Sequence, residues 1–266
     1  MKQILVLVLL GLAGFGIYQY LRGQGETTTG DINALEFDNT SPSPAPTTLP
    51  EKVKTVNFNE EIYAYEVIKA IVPAQVKLIP NYEKQARTEE MQQVEKCSEI
   101  VSGGFYGTDN KPLGWVVEKG KEISRQKSSL LFNGFVFIDE ELKVNITLIK
   151  PESNVVYGLQ TGPILFMEKK PLKLSMARDK NARRMVLAVD TDGYMNFFAF
   201  YVKDGIQSGP MLVDLPAFVS KASAQENIEL ESAVNLDGGN ASAFFGSKLR
   251  LEEITPVGSW WCINPV

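Results

Sequence analysis

MVLAVDTDGYMNFFAFYV, residues 185–202, decides the fold class. Two apolar runs rich in β-branched and aromatic residues, Met185 to Val189 and Tyr194 to Val202, flank Asp190-Thr191-Asp192-Gly193. A short Asp/Gly turn between two such runs is a β-hairpin signal. Asp190 and Asp192 resemble the opening of a calcium loop, but the later ligands are missing, so a turn is the reading. The same pattern recurs outward. Tyr63 to Ile68 and Gln75 to Ile79 read as strands, punctuated by Pro73 and Pro80-Asn81. Leu130 to Ile138 and Leu142 to Ile149 read as a pair joined at Asp139-Glu140-Glu141. Val155 to Leu159 and Ile164 to Phe166 flank Gly162-Pro163, and Ser232 to Leu236 and Ala243 to Phe245 read as short buried strands. Two segments read as helices. One opens at Thr88-Glu89-Glu90, with Thr88 as cap and Met91, Val94 and Cys97 facing the core; the other runs over 215–224. Many strands with two or three helices predict an α+β fold, a mixed or antiparallel sheet core in a single domain.

The ends of the chain predict where that domain works. Gln3 to Leu21 carry no charge, between Lys2 and Arg22. A charge-free run near this length meets the requirement of a bilayer helix, about 17–25 residues. Tyr18 and Tyr20 suit an interfacial belt. A cleaved signal peptide ending near Gly11-Leu12-Ala13 is the rival reading, but apolar residues continue past that point. Residues 1–22 are therefore expected to anchor the chain in a membrane. Residues 23–52, rich in Ser, Thr and Pro, are expected to form a disordered linker, since they hold too little apolar surface to offset ordering entropy. Residues 53–266 form the globular domain, expected on the extracytoplasmic face. Cys97 and Cys262, the two cysteines, leave a disulfide and a pair of buried thiols both open.

Composition narrows the chemistry. The 266 residues contain no histidine, which removes His-based triads, His general bases and most zinc sites. Two cysteines are too few for a cysteine-rich metal centre. A net charge of −5 leaves no basic footprint, so no nucleic-acid partner is expected. Catalysis has to run on carboxylates, Arg, Lys, Tyr or hydroxyls. Asn235-Leu236-Asp237-Gly238-Gly239 is the most informative stretch: an apolar strand delivers a carboxylate to a turn, and two glycines permit close backbone approach. A plain Asp-Gly turn is the bland alternative. Gly103-Gly104-Phe105-Tyr106 is similar, with aromatics for packing or sugar stacking. Trp260 and Trp261 read as core of the last strand, or as a carbohydrate platform.

Taken in order, these segments resemble the phosphodiester glycosidase family. The resemblance rests on Gly103-Gly104-Phe105-Tyr106, Lys111-Pro112-Leu113-Gly114, Leu159-Gln160-Thr161-Gly162-Pro163, Arg184 leading into Val189-Asp190, and Asn235-Leu236-Asp237-Gly238-Gly239, across about Tyr63 to Phe245. Departures from the family pattern fall at Ser102, Tyr106, Ala188 and Asn240-Ala241-Ser242. The resemblance implies a hydrolase that cleaves a sugar 1-phosphodiester through an oxocarbenium-like transition state. In that reading Asp237 is the catalytic carboxylate and Arg184 the phosphate-binding cation. Gly103, Gly104, Tyr106, Thr161, Gly162, Asn235, Gly238, Gly239 and Ser242 line the substrate site, the glycine N–H groups forming anion nests. A glycan or phosphosugar is the implied partner, alongside the membrane. No cofactor or metal is implied, and calcium stays open. The alternative is a non-catalytic carbohydrate- or phosphosugar-binding protein on the same fold.

Overall fold

The computed structural model describes residues 52–152 and 154–264. The anchor read over 1–22, and the linker read over 23–52 apart from Lys52, lie outside the described residues. Among the described residues no helix is long and apolar enough to cross a membrane.

Among the described residues, seventeen strands, β1 to β17 in chain order, form three antiparallel sheets. The largest runs β1 (Lys54–Phe58), β2 (Glu61–Ile71), β13 (Met195–Tyr201), β12 (Arg184–Asp190), β14 (Leu230–Asn235), β10 (Ile164–Met167) and β11 (Lys170–Pro171). The second runs β16 (Arg250–Leu251), β15 (Phe244–Phe245), β4 (Glu99–Ser102), β17 (Ser259–Ile263) and β3 (Val76–Pro80). The third runs β6 (Lys121–Ser124), β5 (Val116–Glu118), β9 (Val155–Thr161), β7 (Gly134–Asp139) and β8 (Val144–Thr147). The 185–202 hairpin forms as read: β12 and β13 pair from Arg184↔Phe200 to Val189↔Met195. Asp190 builds its turn, accepting hydrogen bonds from the N–H groups of Asp192 and Tyr194 and from Asn196 Nδ2. The strands on either side of Gly162-Pro163 form too, but in different sheets, with the Gly162–Pro163 bond cis between them.

One core joins all three sheets. Leu187 and Val234 from the first, Val101 and Trp261 from the second, and Val136 and Leu159 from the third are buried together. Each such side chain contributes about 1.5–3 kcal/mol relative to exposure. The other face of the first sheet is covered by a helix, α2 (Leu215–Gln225). Its Leu215, Phe218, Val219 and Ala222 recur at helical spacing and pack on Val186, Ala188 and Phe198. The Phe218 ring meets Tyr63 edge-on at 4.9 Å. Trp260 and Trp261 are both fully buried, so they are core and not a platform.

The first helix, α1 (Thr88–Val94), departs from its reading in two ways. Thr88 does not cap it: the preceding residue is Arg87, the Glu253 carboxylate accepts from the Thr88 N–H at 2.9 Å, and the Thr88 hydroxyl accepts from Trp260 Nε1 at 2.9 Å. Val94 is 64% exposed, because the helix ends there and buries Thr88 and Met91, with Cys97 buried beyond it. The short strands at 54–58, 116–118 and 121–124 were not legible in the pattern.

Cys97 and Cys262 form a disulfide, with Cα atoms 5.4 Å apart. The bond ties the segment before β4 to the last strand, across 165 residues of chain. Loop closure of that size is expected to contribute about 5 kcal/mol through the unfolded state. Denaturant titrations with and without reductant test this. We expect a drop of that order on reduction, and no thiol labelled in denaturant alone.

Candidate active site

The segment that ends β14 passes between two sheets. The Leu236 N–H donates to the Met185 carbonyl on β12, at 2.9 Å. The next residue turns the other way: the Asp237 N–H donates to the Gly103 carbonyl at 2.9 Å, and Ser102 Oγ donates to the Asp237 carbonyl at 3.2 Å. The Gly239 N–H returns to the first sheet, donating to the Arg183 carbonyl at 2.8 Å. Asp237 is thereby fixed where the C-terminal ends of β14 and β4 meet.

The glycines make this crossing possible by bringing backbone against backbone. A Cβ on Gly238 would sit 2.5 Å from the Arg183 carbonyl oxygen, and one on Gly103 would sit 2.6 Å from Ser259 Oγ. Gly239 adopts φ +63° and turns the chain. Their N–H groups are also engaged internally. Gly103 donates to the Ser259 carbonyl, Gly104 to Ser259 Oγ, and Gly239 to the Arg183 carbonyl. The anion nests read from the sequence are therefore filled by the protein itself.

The remaining predicted residues also converge here. Thr161 Oγ1 donates to the Asn235 carbonyl at 2.8 Å, and Asn235 Nδ2 donates to the Gly162 carbonyl at 2.9 Å. These bonds pin the end of β14 to the bend between β9 and β10. Ser242 Oγ donates to the Gly239 carbonyl and accepts from Arg183 Nε, at 2.7 and 3.0 Å. Tyr106 is half-buried, its hydroxyl donating to the Pro256 carbonyl. Most of these polar groups build the site, and few are left for a ligand.

Arg184 stands apart in one respect. Arg184 opens β12, two residues before Val186, whose pairing with Asn235 is the last between β12 and β14, and no contact joins it to Asp237 among the described residues. Its guanidinium, however, turns to Asp179: Nη2 lies 3.3 Å from Asp179 Oδ1 and donates to the Lys180 carbonyl, and Nε donates to the Pro210 carbonyl. Two of its nitrogens are thus held, and Nη1 has no partner among the described residues. Burial lowers its pKa, with Asp179 acting in the opposite direction.

Three contributors were missed. Arg183, next to Arg184 at the start of β12, is fully buried. It donates to Ser242 and, through Nη2, to the Glu252 carbonyl at 2.8 Å. Burial lowers it to about 10, partly opposed by Glu253. Ser259 receives both glycines of the Gly103-Gly104 pair. Tyr82 packs its ring against Gly258, next to Ser259, and buries its hydroxyl. None of the three lies in a recognisable motif, and only the folded chain brings them together.

Electrostatically, Asp237 is the unusual group. It is 8% exposed, and burial pushes its carboxyl well above the usual range, opposed only by the Gly238 N–H. The unfolded chain ionises this group near its ordinary value of 3.8 while the folded chain keeps the proton to higher pH. Folding is therefore penalised increasingly as pH rises from about 3.8 to the folded pKa, and by a constant amount above it. Asp237→Asn is expected to unfold at higher denaturant than the parent at pH 7, with the gain vanishing below about pH 3.8. Gly238→Ala is expected to lose roughly 1–3 kcal/mol, because a Cβ there overlaps a backbone carbonyl that cannot swing aside. Both follow from equilibrium unfolding curves.

The sequence model of the phosphodiester glycosidase family matches residues 95–263. Among solved structures, the catalytic domain of zebrafish N-acetylglucosamine-1-phosphodiester alpha-N-acetylglucosaminidase, auto-inhibited by its pro-peptide, superposes with a TM-score of 0.63 at 14% identity, over 84% of this chain and 85% of that one. A hypothetical protein from Synechocystis superposes with a TM-score of 0.53 at 13% identity, over 79% and 61% of the two chains. No curated protein matches by sequence. These structural likenesses extend to the fold. The family match spans the strand end that carries Asp237, the Gly103-Gly104 segment and the disulfide, and the chain belongs to the phosphodiester glycosidase family.

Proposed function

We propose that the chain is an exported, membrane-tethered hydrolase that cleaves a sugar 1-phosphodiester in envelope or extracellular glycoconjugates. The observation that carries the reading is Asp237: a buried carboxyl on a segment held by the backbone bonds of Leu236, Asp237 and Gly239, in a family of glycosidases. The disulfide supports an oxidising compartment.

In this mechanism water attacks the anomeric carbon. The bond from that carbon to the phosphate oxygen breaks, and the phosphate monoester departs with the bonding pair. The departing group is a weak base, so little acid assistance is needed. The proton lost by water passes to Asp237, which must first be ionised. A raised pKa makes Asp237 a stronger base once ionised. Arg184 supplies the phosphate-binding cation. Asp179 and the Lys180 and Pro210 carbonyls orient its guanidinium, leaving Nη1 for a phosphate oxygen.

The test is sugar release from a panel of sugar 1-phosphodiesters. Asp237→Asn is expected to lose roughly 10²–10⁴-fold in kcat. Activity of the parent should rise with pH through an ionisation above the ordinary carboxylate range. Arg184→Lys is expected mainly to raise KM, since an ammonium cannot keep both anchors and still present a third donor. Full turnover by Asp237→Asn would sink the mechanism. Saturable binding of the diesters without release would leave the chain a binding protein.

A further inference from the structure

Gln160 lies between Leu159 and Thr161 on β9, is buried, and uses its whole amide. Oε1 accepts from the N–H groups of Trp115 and Lys127, both at 3.0 Å. Nε2 donates to the carbonyls of Lys127 at 2.6 Å and Phe132 at 2.8 Å. A primary amide has two acceptor sites and two donors, and here all four are filled. The fit is close: a Cβ on Gly114 would lie 2.7 Å from Gln160 Oε1 and 2.9 Å from Gln160 Cβ. Gly114 and Gln160, from two separate segments of the family pattern, therefore depend on each other.

Lys127 and Phe132 belong to the loop 125–133 between β6 and β7, which has no regular structure and carries a fully exposed Leu130. Among the described residues, every hydrogen bond that ties this loop to the rest of the protein involves Gln160 or Asn133. At its far end Asn133 Oδ1 accepts from the Ile164 N–H at 2.9 Å, and a Cβ on Gly162 would lie 2.5 Å from the Leu131 carbonyl oxygen. The carbonyls of Gly162 and Pro163 in turn accept from the side chain and backbone of Asn235, at 2.9 and 3.0 Å. On its other side the Phe132 ring packs on Phe105, with centroids 4.7 Å apart. Phe105 stands two residues from Gly103, whose carbonyl takes the Asp237 N–H at 2.9 Å. The loop thus touches both segments that hold the strand end carrying Asn235 and Asp237.

We propose that Gln160 is a positioning residue: it straps the 125–133 loop in place, so that the half-buried Phe105–Phe132 pair forms a fixed wall of the site. A loop free to move would have to be ordered each time a substrate bound, at the expense of affinity. The strap makes the wall ready beforehand. Gln160 acts through the loop and touches no reacting atom. The wall's part in the reaction rests on the proposed function, whereas the strap stands on its hydrogen bonds alone.

Amide hydrogen exchange and sugar 1-phosphodiester hydrolysis, both on the full chain, test this. In the parent the Lys127 amide is expected to exchange roughly a hundredfold more slowly than those of Gln126 and Ser128, since among the three it alone donates a hydrogen bond. Gln160→Met, apolar and of similar length, is expected to remove that protection and to raise KM roughly tenfold with little change in kcat, because Asp237 is left as it is. Phe132→Ala keeps the carbonyl that Gln160 binds and is expected to raise KM to a similar degree. The double variant is expected to be no worse than either single one, because both changes act through one ring. If Lys127 exchanges like its neighbours in the parent, the strap is overturned, whether or not Gln160→Met folds. Additive losses in the double variant, or a parental KM in Phe132→Ala, overturn the wall. If the parent releases sugar from no diester, the proposed function falls and the wall with it, while exchange at Lys127 still decides the strap.

Discussion

Five residues, Asn235 to Gly239, have their backbone hydrogen bonds divided between two sheets, and the rest of the site depends on that division. Leu236 and Gly239 donate to β12 and to Arg183 just before it, and Asp237 donates to Gly103 beyond β4. Such a crossing brings three backbone segments closer than side chains permit. Gly103 and Gly238 therefore face Ser259 and the Arg183 carbonyl without a Cβ, and the small Ser102 ties its hydroxyl to the Asp237 carbonyl.

A carboxyl trapped at such a junction opposes folding at neutral pH, so the surroundings have to be stable enough to hold it. The stabilising elements lie on three sides. The common core of the sheets packs Leu236 beneath the carboxyl, α2 closes the far face of the first sheet, and the disulfide holds β4 against β17. Arg183 is part of the same rigid frame. Its charge is buried, but its N–H groups are turned to Ser242 and the Glu252 carbonyl, locking the loop that follows Gly239. Two adjacent arginines thus do different work. One fixes the loop from beneath, and the other has its guanidinium steadied by Asp179.

Much of the fold could be read from local pattern, because the central strands are long and uniformly apolar. β12, β13 and α2 are of this kind. The short strands β1, β5 and β6 carry charged or polar residues and owe their pairing to neighbours distant in sequence. The error at Val94 is also one of length: periodicity continued, but the helix did not, because the chain turns at Lys96 with φ +55°. At the site, sequence reached the residues that a motif keeps contiguous. Asn235, Asp237 and the glycines fall in this class, and so do Thr161 and Gly162. It assigned the glycines to ligand contact, whereas they serve contacts within the protein. Tyr82 and Ser259 lie in unremarkable stretches, more than 150 residues apart, and meet only through the pairing of β3 with β17.

The disulfide also makes the chain from Cys97 to Cys262 a covalent ring. Nearly all of the segment matched by the family lies on that ring, Asp237 and Arg184 included. A protease that cuts one exposed turn, such as Glu140-Glu141 before the exposed Leu142, opens the ring but frees no fragment. The nicked molecule keeps its strands paired and its carboxyl in place, and migrates as two pieces only after reduction. In surroundings rich in proteases, the protein would thus outlive the integrity of its own backbone, which is a form of durability distinct from resistance to unfolding.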